Sequence, residues 1–219
     1  LPLRALLLRL DSSCHVLALA IHHSAADGWS MAPLLDDLRQ AYHARRRSLA
    51  PVFSPLPAQY ADYALWERSA HRAEYDAGAL DYWRCTLSGL PAELPLPRDH
   101  PRDNVKLAAS GRLAFAVDGE THQSLKRLAT QNNASLFMVL TATLAALLHR
   151  LGGGEDIVIG APIAGRPDPS LEPVVGCFVN TLALRLNVSG SARFETLLAQ
   201  TRQVCLGAYA HQQTPFQHV

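Results

Sequence analysis

Residues 21–30 read IHHSAADGWS. Two adjacent histidines close an apolar run, and an aspartate and a glycine follow His23 by four and five residues. A histidine at a strand end can turn its ring into a cavity, and imidazole is the side chain best placed for proton transfer near neutral pH. Asp27 lies one tight turn away, where it can orient His23 or pair with an arginine and hold the turn. Gly28 suits a backbone angle that a side chain would forbid. Outside a motif, a lone histidine is more often structural, so the rest of the chain must decide.

Other chemistries are weaker here. Adjacent residues on a strand face opposite ways, so His22 and His23 cannot easily hold one metal ion together. One histidine with Asp27 gives two ligands where a catalytic zinc usually takes three; no metal is expected. No GxSxG elbow occurs, and Ser24 directly after His23 is poorly spaced for a nucleophile and its base. Cys177 sits in an apolar run and reads as a buried, inert thiol. GGGED (152–156) lacks the Lys-Ser/Thr pair of a phosphate loop and precedes a strand, so it reads as a helix stop and a turn.

The elements that position these residues alternate. LRALLLRL and CHVLALAIHH are two strands joined by DSS, the second so apolar that both its faces are expected to be covered. WSMAPLLDDLRQAYHARR follows with Met31, Leu34, Leu35, Leu38 and Tyr42 at helical spacing, and Ser30 or Asp27 as N-cap. SLAPVFSPLP (48–57) is an extended linker with three prolines. Two helices follow, joined near Gly78. PAELPLPRDHPRDN (91–104) carries four prolines and marks a subdomain border near residue 100. Beyond it come a strand (GRLAFAVD), a helix over about 119–131, a helix over 136–151 capped by Ser135, a strand DIVIGAPIAGR, a long strand VVGCFVNTLALRLNV and an amphipathic helix from Arg193. This alternation is the α/β class.

Composition narrows the partners. The 219 residues are 48% hydrophobic, enough for a packed core, and carry 20 basic against 19 acidic residues. That balance gives no field for nucleic acid or an anionic membrane. HARRR (43–47) reads as the solvated C-terminal end of a helix. The four cysteines, Cys14, Cys85, Cys177 and Cys205, are scattered and suit a reducing compartment, so the expected location is cytoplasmic. SLFMVLTATLAALL (135–148) falls short of the roughly 20 residues a membrane span needs and reads as a buried helix. The start lacks Met and reads as a chain cut open inside a domain.

HHSAADGWS resembles the HHxxxDGWS motif of the condensation domains of nonribosomal peptide synthetases. YADYALW (60–66) resembles YxDFAxW, VGCFVNTLALR (175–185) resembles VGxFVNTLxLR, and HQQTPFQHV (211–219) resembles HQDxPFExV. The four follow the family's order over nearly the whole chain. The family's RHExLRT stretch is not here. The resemblance implies a chloramphenicol acetyltransferase-like fold of two subdomains with the active site in a tunnel between them. Residues 1–100 would be the C-terminal part of an incomplete N-terminal subdomain, and 101–219 most of the C-terminal one. It implies amide bond formation between an upstream carrier-bound acyl or peptidyl thioester and the amine of a downstream carrier-bound aminoacyl thioester. No cofactor would be bound by the domain itself; the substrates ride on phosphopantetheine arms. The partners would be two peptidyl carrier domains and an adenylation domain, with no nucleic acid and no membrane.

Residue by residue, His23 matches the catalytic histidine and His22 the one supporting the loop. Asp27 matches a structural aspartate whose arginine partner would lie in the absent stretch, and Gly28 the glycine beside the reaction centre. Asn180 would face the tunnel, where its amide could contact substrate. Trp29, Tyr60, Asp62 and Trp66 would serve packing. Gln213 and Gln217 replace acids of the last motif. The continuation WSMAPLLDDL, with FVNTLALR, resembles the subclass taking D-configured donors. The rivals are an epimerisation domain, which usually departs from DGWS and FVNTLxLR, and a non-catalytic recruitment domain, which often lacks the second histidine. The isolated chain is expected to be inactive.

Overall fold

The structure is a computed structural model and describes residues 1–99 and 111–219. The border expected near residue 100 falls on residues outside that description. The first two strands, β1 (Leu3–Arg9) and β2 (His15–Ile21), pair antiparallel from Leu3 opposite Ile21 to Arg9 opposite His15. Asp11 makes the turn: its Oδ1 accepts the N–H groups of Ser13 and Cys14, each at 2.7 Å. The expected burial of β2 on both faces is not met. The two strands form a sheet by themselves, and Leu6, Leu7, Val16 and Leu17 stay exposed because no described element packs on them. Among the described residues, both outer edges therefore present unpaired backbone groups.

Helix α1 (Met31–Arg46) keeps Met31, Leu34, Leu38 and Ala41 half-buried, while Leu35 and Tyr42 of the expected stripe face solvent. Ser30 occupies its N-cap position without capping through its side chain. Helices α2 (Tyr60–Glu67) and α3 (Ala70–Leu87) meet at Arg68–Ser69 rather than near Gly78. Gly78 lies inside α3, where a helix tolerates it at a cost of about 1 kcal/mol against alanine. Gln59 and Asp62 close α2 reciprocally, with Asp62 Oδ2 accepting the Gln59 N–H at 2.8 Å.

The strand expected at 111–118 does not form. Leu113 and Phe115 are exposed, and no described strand offers them a ladder. Asp118 instead caps α4 (Gly119–Gln131), accepting the Thr121 N–H at 2.8 Å. Ser135 caps α5 (Leu136–Leu148), as its position before an apolar run predicts. One wider turn carries the helical path on to Gly153, and Gly152 and Gly154 end it at positive φ. Leu136–Gly153 is by length and composition apolar enough to cross a membrane. Met138, Val139, Ala142 and Ala145 of this helix are buried in the core, where α5 packs against α4 and α6 (Phe194–Ala210).

Strands β3 (Asp156–Ile163) and β4 (Asn180–Asn187) pair, and the Val188 N–H donates to the Glu155 carbonyl at 2.7 Å beside them. The chain forms two compact units. One contains residues 1–80, 162–181 and 213–219; the other contains 81–161 and 182–212. The core of the second unit is Ile157, Leu182, Leu184, Leu186, Leu198 and Cys205 with the buried face of α5. There Arg185 grips Asp156 through Nε and Nη2 (2.9 and 2.7 Å) and also donates to the carbonyls of Thr86 and Ser88 at the end of α3. The Arg185 hydrogen bonds hold the Asp156 carboxyl below its ordinary value, against the upward pull of burial. All four cysteines are free; burial pushes the Cys205 thiol up to about 11. The core of the first unit is the site itself.

Candidate active site

The second strand ends at Ile21, and His22 continues its ladder by donating its N–H to the Pro2 carbonyl at 2.8 Å. The chain then turns, with the Ala25 N–H on the His22 carbonyl. Both histidines thus stand in the turn just past the strand, and both are exposed.

The two rings are held differently. Nδ1 of His22 lies 2.7 Å from Ser24 Oγ and accepts the Ser24 backbone N–H at 3.2 Å. A backbone N–H can only donate, so neutral His22 carries its proton on Nε2. Nε2 can then offer a hydrogen bond, and the bare nitrogen is Nδ1, which already faces the Ser24 N–H and hydroxyl. His23 has no such lock. Its Nδ1 meets only the sulfur of Cys177, at 3.7 Å, among the hydrogen bonds of the described residues.

Below the turn, Asp27 is the anchor. Its Oδ1 accepts the Ser30 N–H at 2.9 Å, and its Oδ2 accepts the Phe178 N–H at 3.0 Å. Ser30 Oγ lies 2.8 Å from both Asp27 Oδ1 and the Gly176 carbonyl. Gly176 in turn donates to Ser30 Oγ at 3.1 Å, and the Asp27 N–H reaches the Gly176 carbonyl at 3.1 Å. This explains why the long strand expected from Val174 starts only at Asn180. The backbone groups of 176–178 are bonded to the loop instead of to a neighbouring strand.

The arginine partner of Asp27 is a correction. It was expected in a stretch this chain lacks; it is Arg166, in the loop after β3. Nη2 of Arg166 reaches Asp27 Oδ1 and Ser30 Oγ, each at 3.1 Å. Nη1 donates to the Leu171 and Val174 carbonyls, and the guanidinium lies 4.0 Å over the Phe178 ring. Burial alone would raise the Asp27 carboxyl, but the N–H of Phe178, the Ser30 groups and Arg166 outweigh it and hold the carboxyl below its ordinary value. Sequence reasoning missed Arg166; its one signal is a lone arginine between Gly165 and Pro167, just past an apolar strand.

Gly28 is also a correction. Its backbone is not in the left-handed region, and a Cβ there would meet nothing within 4 Å. A Cβ at Gly28 would point into open space. Trp29, expected to pack, is 62% exposed.

The other motif residues converge on the same floor. The Tyr60 hydroxyl donates to the Cys177 carbonyl at 2.9 Å, and the Tyr60 and Tyr63 rings stand 5.1 and 4.7 Å from that of Phe178. These two tyrosines pack on Leu171, Val174 and Phe178. Asn180 donates through Nδ2 to the Thr214 carbonyl (2.7 Å) and accepts the Phe216 N–H through Oδ1 (3.0 Å), tying down residues 214–216. Among the described residues, no three metal-ligating side chains gather.

Four separate stretches thus build one loop support, and the family model of the condensation domain matches residues 1–219. The chain belongs to the condensation-domain family. It is 47% identical over 222 residues to a probable non-canonical nonribosomal peptide synthetase, CymA, of Salinispora arenicola (99% of this chain, 3% of the relative). It is 44% identical to an isonitrile lipopeptide synthase of Mycobacterium tuberculosis (99% of this chain, 9% of the relative). The chain therefore spans under a tenth of these relatives. Its fold matches the X-domain from teicoplanin biosynthesis with a TM-score of 0.92 at 33% identity, covering 99% of this chain and 49% of that one. The two-subdomain α/β fold implied by the sequence is the fold of these condensation and X-domains.

Proposed function

We propose that this condensation domain joins a carrier-bound acyl or peptidyl thioester to the amine of a second carrier-bound aminoacyl thioester. The observation that carries the reading is the exposed ring of His23 on a turn pinned from below by Asp27 and Arg166. A proton acceptor must be accessible yet fixed, and this loop meets both needs. Relatives that are peptide synthetases support the substrate class.

The reaction needs little of the protein beyond placement and one proton. The amine attacks the thioester carbonyl carbon. The new C–N bond forms, the C–S bond of the donor arm breaks, and the thiolate leaves with the proton the amine gave up. His23 Nε2 takes that proton and passes it to the sulfur. His22, with its proton fixed on Nε2, offers a hydrogen bond rather than a base. The space left at Gly28 admits the reacting groups. Asn180 serves by holding residues 214–216. Presenting both substrates on tethered arms supplies much of the acceleration through proximity. The continuation after DGWS favours a D-configured donor.

The test is intact-protein mass spectrometry of a single turnover. The native polypeptide containing these residues is given a loaded donor carrier, with D- or L-ended donors, and a loaded acceptor carrier. Product on the acceptor, slowed roughly 10²- to 10⁴-fold by His23→Ala, is the expected result. Faster transfer from the D-ended donor fixes the subclass.

One observation favours a second reading. The teicoplanin X-domain, to which the fold is so similar, is seen in complex with OxyB. On that reading this chain is a docking module. No transfer would then occur with competent carriers, and His23→Ala would leave partner binding unchanged.

A further inference from the structure

We infer that Cys177 is a positioning residue for His23: its sulfur accepts the Nδ1 proton and so leaves Nε2 bare. The inference rests on the proposed role of His23 as the base. The two atoms lie 3.7 Å apart, although their residues are 154 positions apart in sequence. Thiol sulfur is both a weak donor and a weak acceptor, so the contact admits either direction; taken as N–H···S, it leaves Nε2 bare for the amine proton. The distance fits a contact to sulfur, whose larger radius lengthens such bonds.

The placement of Cys177 is fixed on both sides of its side chain. Its carbonyl is held by the Tyr60 hydroxyl. The neighbouring Gly176 and Phe178 backbones are bonded to Ser30 and Asp27. The backbone that carries the thiol therefore cannot drift from the loop without breaking the network that pins the loop. It is half-buried in an irregular segment, not the strand-buried inert thiol expected from the sequence.

The consequence is that the adjacent histidines hold opposite tautomers. Ser24 puts the His22 proton on Nε2; Cys177 puts the His23 proton on Nδ1. A neutral imidazole has one proton, and which nitrogen carries it is set by the bond the other makes. Only His23 then has a free lone pair on Nε2, which separates the base from its neighbour by geometry rather than by exposure.

Long-range ¹H–¹⁵N correlation spectra of the ¹⁵N-histidine-labelled chain test this above the titration of its histidines, with His23→Ala assigning the signal. The expected result is His23 as the Nδ1–H form, moving toward the Nε2–H form in Cys177→Ala and returning toward Nδ1–H in Cys177→Ser, which keeps an acceptor. Turnover of Cys177→Ala in the native polypeptide should show kcat lowered roughly three- to tenfold with KM unchanged, since rate follows the competent fraction. A wild-type His23 in the Nε2–H form, or a tautomer indifferent to Cys177→Ala, overturns the inference. The spectra need no substrate, so absence of transfer bears on the proposed function and not on this assignment.

Discussion

Asp27 and Arg166 are 139 residues apart in sequence and form a 3.1 Å ion pair whose side chains are 0% and 3% exposed. The pair joins the loop bearing both histidines to the loop after β3. Each charge also has further hydrogen-bond partners, which offset much of the desolvation of a buried ion pair, while Nε of Arg166 is buried without one. Phe178 serves both ends: its N–H meets Asp27 and its ring lies under Arg166.

Removing one partner leaves a buried charge alone. Arg166→Ala should therefore destabilise the chain by about 3–5 kcal/mol. Arg166→Lys should recover only part of this, because an ammonium cannot span Asp27 and the Leu171 and Val174 carbonyls together. Urea unfolding of the three proteins checks both statements. A loss under 1 kcal/mol for Arg166→Ala would show that the pair does not hold the loop.

The same pair makes stability depend on acid. The Asp27 carboxyl is held below its ordinary value of 3.8. A lowered carboxyl contributes stability that is fully present above the unfolded-state value and is lost as pH falls through the folded-state value. Asp27→Asn carries no charge at any pH. The gap in unfolding free energy between wild type and Asp27→Asn should then be widest near neutral pH and close as pH falls below 3.8. A gap that stays constant from pH 7 to 3 would place the acid sensitivity elsewhere, with Asp156 and its Arg185 partner the next group to substitute.

How much of this could be read beforehand depends on whether a residue's partner is near it in the chain. Ser135 before an apolar run signals a cap, and the cap forms within three residues. The two hairpin strands were visible because their turn is local. Gly78 suggests a break by its residue type, yet the helix around it continues. Residues 174–179 look like strand because they are apolar, but their N–H and C=O groups are claimed by Asp27, Ser30 and Tyr60, which no local pattern announces. The expected strand at 111–118 has the right alternation and no described neighbour to bond. The motif residues of the site were found by likeness; Arg166, outside those motifs, appeared only when the chain was folded.

Two glycines make the Asp27–Arg166 geometry possible, and they fail in different ways. Gly165, directly before Arg166, has φ +64°, and a Cβ there would strike the Phe178 carbonyl oxygen, a backbone atom that cannot step aside. Gly176 is overlaid by the Tyr60 ring, so a Cβ would displace an aromatic side chain rather than the backbone. Gly165→Ala should cost more than Gly176→Ala, since it adds backbone strain of about 1–3 kcal/mol to the collision. Gly28→Ala is the control: open space surrounds it, so stability should change by no more than about 0.5 kcal/mol. Thermal unfolding should thus rank the midpoints Gly28→Ala highest, Gly176→Ala next and Gly165→Ala lowest. Turnover should depart from that ranking at Gly28, where a methyl group would enter the space proposed for the reacting amine and thioester. If Gly28→Ala kept both its stability and its full rate, the substrates would have to approach His23 from another side.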